Sequence, residues 1–412
     1  MINKLQRSLG KLGPGLVTGA ADDDPSGIAT YSQAGAQFGY SMLWTMIFTL
    51  PLMVAIQMVS ARIGYVTRQG LAANIKTSFP RWVLLTVVSM LLIANTLNVA
   101  ADIAAMAEAL RLLVGGSAHL YAVAFGLTCL LLQVFLPYRT YVRWLKWLTL
   151  ALLSYVAVVF TLHLDWGMVV GKVIHPGISI NHDMLLMIVA VFGTTISPYL
   201  FFWQAAQEME DTADLPAPTT QEVKRKLRHI RLDTIIGMSF SNLIAFFIIL
   251  STAATLNAAG ITDIQTSAQA AEALRPLAGE FTFILFSMGI IGTGMLAVPI
   301  LAGYAVAEAA GWQGGLNSRL DRNEGRGFYG VIAAATLGGV IFCFTPMDPV
   351  KELFWAAVIN GVISVPIMVV MMLLASRGSI MGPHVISLRL RWLGWAATAA
   401  MALTVVAMLA TL

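Results

Sequence analysis

The chain has 412 residues, 58% of them hydrophobic and only 11% charged. Its mean hydropathy is +0.77. Soluble globular domains carry about 25% charged residues, so this composition excludes a soluble enzyme or binding module and describes a polytopic membrane protein. The formal net charge of +4 needs no nucleic acid to explain it, because basic residues collect in the short cytoplasmic loops of membrane proteins.

A spanning helix needs about 20 mostly apolar residues, and eleven candidates follow in chain order. The first runs from Gly13 to Gly39 and is interrupted at Asp22–Gly27. The next four are Leu43–Tyr65, Val83–Leu112, Leu120–Leu136 and Leu145–Leu164. The sixth runs from Met184 to Gln207 and is interrupted at Gly193–Tyr199. The remainder are Leu232–Leu256, Phe281–Ala309, Tyr329–Phe344, Leu353–Ala375 and Trp392–Leu412. Cys129 and Cys343 both lie in apolar stretches and read as small core residues, with no disulfide framework or thiolate metal site indicated. The N-terminal Lys4, Arg7 and Lys11 precede an apolar stretch that breaks at aspartates, so no cleavable signal is expected.

Every second loop is basic. Arg62, Arg68, Lys76 and Arg81 flank the loop after span two. Arg139, Arg143 and Lys146 follow span four; Lys224, Arg225, Lys226, Arg228 and Arg231 follow span six. Arg319, Arg322 and Arg326 follow span eight; Arg377, Arg389 and Arg391 follow span ten. This alternation predicts a cytoplasmic N-terminus and an outside C-terminus.

The breaks carry the chemistry. An Asp near a helix centre in a bilayer costs about 2.5–3.5 kcal/mol on insertion scales and faces protein or a polar cavity. Here three in a row, Asp22, Asp23 and Asp24, precede Pro25-Ser26-Gly27. Asp24 precedes a proline, so its backbone is biased away from the helical region, and freed carbonyls can join its carboxylate around a cation. Asp24 is the expected metal ligand. Asp23 and Asp22 either line the entry or attract cations, and a buried hydrogen bond to a neighbouring span is the plain alternative for Asp22. Three crowded carboxylates take up protons unless a cation neutralises them.

The second break reads Gly193-Thr194-Thr195-Ile196-Ser197-Pro198-Tyr199. Thr194, Thr195 and Ser197 offer hydroxyls, or equally bond freed backbone groups locally. An all-oxygen set suits magnesium, calcium or manganese. Five spans separate the breaks, and an odd number of spans per repeat inverts the second one. Broken helices at matching positions of inverted halves point to a midplane substrate site. Asn95, Asn98 and Asp102 share one face of span three, as a solvent path or as helix–helix glue. Gln204, Gln207 and Asn360 are further candidate contacts, and Glu208, Glu210 and Asp211 are expected to be solvated at the inner surface.

Together these features resemble the Nramp family of divalent metal transporters. The likeness covers spans one to ten. It rests on Gly13-Pro14-Gly15, the Asp24-Pro25 break with Ile28-Ala29-Thr30, the loop from Ile63-Gly64 to Gly70-Leu71-Ala72, and Ala101-Asp102-Ile103-Ala104. The resemblance implies an all-α leucine-transporter fold with about eleven transmembrane helices and broken helices 1 and 6. Its segments are a first inverted five-helix repeat over 1–164, a second over 165–376, and an additional span over 377–412. There are also departures. The family's Asp-Pro-Gly-Asn keeps its Asp as Asp24, but its Asn becomes Gly27. Its sixth-span Met-Pro-His becomes Ser197-Pro198-Tyr199, losing the thioether that the family is thought to use to favour soft metals. The third-span Asp matches Asp102, the acid one turn later is Ala105, and a later sixth-span His is Gln204. This pattern is similar to the Nramp-related magnesium transporters.

The expected function is alternating-access transport of divalent metal cations, magnesium ahead of manganese, at a site of Asp24, Gly27, Thr194, Ser197, Asp23 and Tyr199. A secondary polar pathway runs through Asp22, Asn98, Asp102, Gln204 and Asn360. The alternative is a proton-coupled manganese or iron importer of the usual family kind. A sodium-coupled amino-acid symporter is disfavoured, since the Asp cluster repels a substrate carboxylate, and a membrane sensor lacks an attached soluble domain. The expectation is a non-enzyme with no cofactor, whose partners are the transported ion and the lipid bilayer of a bacterial inner or plasma membrane, acting as a monomer.

Overall fold

The computed structural model describes residues 18–19, 22–135, 148–177, 181–212, 219–301, 304–312, 326–345 and 348–411. The expected basic residues Lys4, Arg7, Lys11, Arg139, Arg143, Lys146, Arg319 and Arg322 lie outside these, as do Gly13-Pro14-Gly15. What is described is all helix. Among the described residues seven helices are long and apolar enough to cross a membrane, or eight if the bent pair Leu150–Thr161 and Trp166–Ile174 is one span. One of the seven, Pro25–Thr67, has 43 residues, about twice the length of one crossing.

The first break is narrower than expected. Thr18, Gly19 and Asp22 are helical, Asp23 and Asp24 are not, and α1 begins at once as Pro25–Phe38. Ser26 and Gly27 are therefore already helical. The reason is local: Asp24 is extended (φ −71°, ψ 171°) and caps the new helix, while Pro25 sits at its first position, where its missing N–H costs nothing. The chain passes through a short 3₁₀ turn, Gly39–Met42, into α2, Leu43–Thr67. A helix absent from the sequence expectation, α3 (Leu71–Ser78), precedes α4 (Arg81–Val114), and α5 is Ala118–Phe135.

The fifth span ends earlier than expected. Residues 145–147 lie outside the described ones, and its described part comprises the turn Leu148–Leu152 and α6, Leu153–Thr161. The chain then bends by 117° into α7, Trp166–Ile174, where the sequence suggested loop. The sixth span divides into α8 (His182–Thr195) and α9 (Pro198–Glu210), with only Ile196 and Ser197 between them. The seventh begins far earlier than Leu232. A capping box, in which the Thr219 hydroxyl and the Glu222 carboxylate each accept from the other's backbone N–H, starts α10 at Thr220 and carries it to Thr252. The basic run Lys224–Arg231 is thus helix rather than loop. The chain ends with α11 (Thr282–Leu301), α12 (Tyr304–Ala310), α13 (Arg326–Phe342), α14 (Pro349–Ser376) and α15 (Leu388–Leu409).

Two groups of helices meet around the breaks. α4 packs against α5, α11, α13 and α14, whereas α1 packs against α8, α10 and α14, and α9 lies along α2. Helices in lipid associate through close packing of small residues, and two glycines show it. A Cβ on Gly64 would lie 2.1 Å from Ala205 O, pinning α2 to α9. One on Gly193 would lie 2.1 Å from Ala357 O, pinning the end of α8 to α14. Both contacts fix helices next to the second break. Cys129 is buried and Cys343 half-buried, both as free thiols.

Candidate cation site

The two breaks face each other. Asp24 accepts from the Gly27 backbone N–H through Oδ1 at 2.7 Å, and from the Tyr199 hydroxyl through Oδ2 at 3.0 Å. Tyr199 lies in the first turn of α9, so the carboxylate at one break is held by the helix that begins at the other. Gly27 lies beneath this contact. A Cβ there would stand 3.3 Å from Asp22 O, Thr194 Oγ1 and Tyr31 Cε2. The absent side chain leaves a cradle bounded by a backbone carbonyl and a threonine hydroxyl.

The second break supplies oxygens in a different way from the one expected. The Ser197 hydroxyl is turned back toward Gly193 O (2.9 Å) and Thr194 O (2.7 Å). Its hydrogen is used on the freed backbone, as Ser and Thr commonly do beside disrupted turns, while the oxygen keeps its lone pairs as an acceptor. Thr195 accepts or donates with Tyr31 Oη at 3.2 Å. Ser364 of α14 donates to Ile196 O at 2.9 Å, covering another freed carbonyl.

Asp22 and Asp23 share one donor. Ser241 Oγ on α10 lies 2.6 Å from Asp22 Oδ2 and 3.1 Å from Asp23 Oδ1. One hydroxyl hydrogen serves one carboxylate at a time, and Asp22 Oδ1 has no hydrogen-bond partner. The buried hydrogen bond to a neighbouring span, the plain reading of Asp22, is therefore present, alongside an unmet carboxylate oxygen. Nothing in the sequence singles out Ser241, which is one of several hydroxyl residues in its span.

The secondary residues divide. Asn98 and Asn360 exchange two hydrogen bonds of 3.0 Å each, joining α4 to α14 as glue. Asp102, one turn along α4, is fully buried with neither carboxylate oxygen hydrogen-bonded. Gln204 donates to Thr234 Oγ1 at 3.2 Å and leaves its own Oε1 unmet. Glu208 corrects the expectation of a solvated inner-surface acid: it is 1% exposed, on a helix that runs along α2, with Lys226 of α10 beside its carboxylate. A thioether also stands nearer the first break than the sequence suggested. A Cβ on Gly294 would meet Met106 Sδ at 2.9 Å and Pro25 Cγ at 3.3 Å.

Asp22, Asp23, Asp24, Thr194, Ser197 and Tyr199 are each at most 2% exposed, so the centre is buried. Among the described residues no ion pair reaches the three aspartates or Asp102. Nor do three His, Cys, Asp or Glu side chains converge as a metal cluster among the described residues. A cation here would be held by carboxylate together with hydroxyls and carbonyls, the hard-oxygen chemistry of weakly polarisable divalent ions.

These features define a multi-pass, all-helical membrane protein in which two broken spans meet at a buried acidic centre. Solved structures share the fold. An Eremococcus coleocola manganese transporter, in complex with an aromatic bis-isothiourea substituted compound, aligns with a TM-score of 0.75 at 17% identity, covering 95% of this chain and 84% of that one. Mhp1, a nucleobase-cation-symport-1 family transporter in a closed conformation, aligns with a TM-score of 0.61 at 14% identity, covering 97% and 90%. The family described as Nramp, natural resistance-associated macrophage protein-like, matches residues 15–411, and the chain belongs to it. Among curated relatives, the divalent metal cation transporter MntH of Agrobacterium fabrum is 28% identical over 318 residues, 74% of this chain and 67% of that protein. The transporter of the same name from Klebsiella pneumoniae is 25% identical over 403 residues, 95% of this chain and 91% of its own length.

Proposed function

We propose that the protein carries divalent metal cations across a membrane, exposing the centre at Asp24 to each side in turn. The observation that carries this reading is the Asp24–Tyr199 contact, which places a buried carboxylate between two helix breaks that both offer oxygen donors. Asp24 is the anionic ligand. Asp22 O and the Thr194 hydroxyl, both at the Gly27 cradle, and the Ser197 lone pair complete an oxygen cage, direct or through retained water. Asp23 and Asp22 form the approach.

Manganese is the cargo we assign, since the curated relatives are named divalent metal cation transporters and a solved relative is a manganese transporter. Proton coupling belongs to the same reading. Asp102, buried beside the path with no hydrogen bond to either oxygen, supports it as the protonatable group. The distribution of basic residues supports a cytoplasmic N-terminus, and in that orientation a cation of charge +2 gains about 4.6 kcal/mol per 100 mV on entry.

Magnesium is the second reading. It has one specific support: no side chain stands at Gly27 among the oxygens of Asp22 and Thr194, and magnesium sheds water reluctantly and keeps several waters in protein sites. Uptake into proteoliposomes with an entrapped pH dye tests both. Manganese uptake with acidification, resistant to excess magnesium and lost in Asp24→Asn, is the expected result. Equal competition by magnesium without acidification favours the second reading. Uptake unchanged in Asp24→Asn removes the site.

A further inference from the structure

The acid that the sequence placed in solvent lies at the end of a buried polar seam. On α9, Gln204 and Glu208 are four residues apart, so they share one face. On α10, Ser241, Thr234 and Lys226 are spaced by seven and eight and likewise share one face. The two faces meet. Ser241 holds Asp22 and Asp23, Thr234 receives Gln204 at 3.2 Å, and Lys226 Nζ stands 3.4 Å from Glu208 Oε2. The seam leads from the aspartates at the first break to the end of the molecule where the basic run of α10 begins.

The atoms left unmet along it are all acceptors. Gln204 Oε1 has no hydrogen bond, and neither Glu208 oxygen has one, although both residues are at most 1% exposed. Burying a carboxylate is costly unless a cation balances it. The cation that balances Glu208 is an ammonium outside hydrogen-bond geometry, on a long, flexible stem that is 28% exposed. Lysine is a strongly hydrated point charge that gives up such a contact readily. A contact built only to hold α9 to α10 would use the oxygens of Glu208 fully.

We propose that Glu208, with the Gln204 carbonyl oxygen, forms a second station for the transported divalent cation on the basic side of the Asp24 centre, with Lys226 standing in for the ion when the station is empty. This rests on the reading of the protein as a divalent cation carrier. The arriving ion displaces the ammonium, which swings toward solvent and comes back to Glu208 once the ion has left.

The test compares Glu208→Gln, Lys226→Met, the charge exchange Glu208→Lys with Lys226→Glu, and Asp24→Asn. Each is checked for folding by size exclusion and thermal unfolding, and manganese uptake by proteoliposomes is measured over a range of concentrations. Glu208→Gln is expected to lower Vmax about tenfold while leaving the apparent KM within about twofold of wild type. Lys226→Met keeps or raises Vmax, and the exchange does not restore what Glu208→Gln loses. Glu208→Asp, which keeps the charge, serves if Glu208→Gln does not fold, and retains more than half of the wild-type Vmax. Equal loss in Glu208→Gln and Lys226→Met with recovery in the exchange overturns the proposal in favour of a plain structural pair, as does a wild-type Vmax in Glu208→Gln. Failure of the carrier reading shows elsewhere, as wild-type uptake in Asp24→Asn or as absence of uptake in the wild type.

Discussion

The hydroxyl of Tyr199 lies 3.0 Å from Oδ2 of Asp24, so the residue after one proline break holds the residue before the other. The donor and a bound cation compete for the same carboxylate oxygen. A hydrogen bond to a charged group contributes about 1.5–3 kcal/mol, and the ion must displace or share it. In Tyr199→Phe the metal-free protein therefore loses stability, while metal binding no longer meets a competitor. Thermal unfolding with and without manganese is expected to show a lower metal-free midpoint and a larger metal-induced rise. An unchanged rise would separate Tyr199 from the ion.

Asp24 has two duties that substitution can separate. Its Oδ1 caps α1 through the Gly27 N–H, and its charge faces the break. Asn caps nearly as well as Asp, whereas Ala forfeits about 1 kcal/mol of helix stability. Asp24→Asn is expected to fold with near wild-type stability and to bind manganese about 100-fold more weakly, the factor that about 2.8 kcal/mol gives. Asp24→Ala loses binding and stability together. Calorimetry with unfolding measurements on both variants distinguishes the duties; equal binding in wild type and Asp24→Asn contradicts a ligand role.

The breaks were legible because acids and prolines inside apolar spans violate a strong rule, and the structure keeps both at Asp24 and Ser197. What surrounds them was less so. The basic run Lys224–Arg231 reads as loop by charge, yet the Thr219–Glu222 capping box sets it in a helix. Glu208 reads as solvated because it closes an apolar run, whereas α9 runs along α2 and Lys226 of α10 stands beside the carboxylate, leaving it buried. Ser197 reads as a ligand by type, while its hydrogen goes to the carbonyls that its own break frees. Sequence reports which groups are out of place in lipid; which neighbour meets them is set by register between helices distant in the chain.

Gly27 controls the size of the cradle. A Cβ at this position comes within 3.3 Å of Asp22 O and Thr194 Oγ1, so any side chain narrows the space beside Asp24. Within a helix Ala is favoured over Gly by about 0.8–1.0 kcal/mol, so weakened transport in Gly27→Ala would not trace to lost helix stability. Gly27→Ala and Gly27→Asn are expected to raise the magnesium concentration that half-inhibits manganese uptake, since a partly hydrated magnesium ion needs the room more. Unchanged magnesium competition in both variants shows that the cradle does not set selectivity.

The Asn98–Asn360 pair ties α4 to α14, while Ser364, one turn further along α14, covers the Ile196 carbonyl at the second break. α14 thereby links α4 to the second break. Each amide satisfies the other's donor and acceptor in a fully buried setting, so removing one strands its partner, at about 1–3 kcal/mol. Removing both leaves nothing stranded. Asn98→Ala and Asn360→Ala are each expected to lower the unfolding midpoint, and the double variant to lose less than the sum of the two. Transport should fall in the single variants beyond what stability explains, because α14 then carries the break without its anchor on α4. Strict additivity in the double variant would show that the two amides act separately, and full transport in a destabilised single variant would confine the pair to holding the fold.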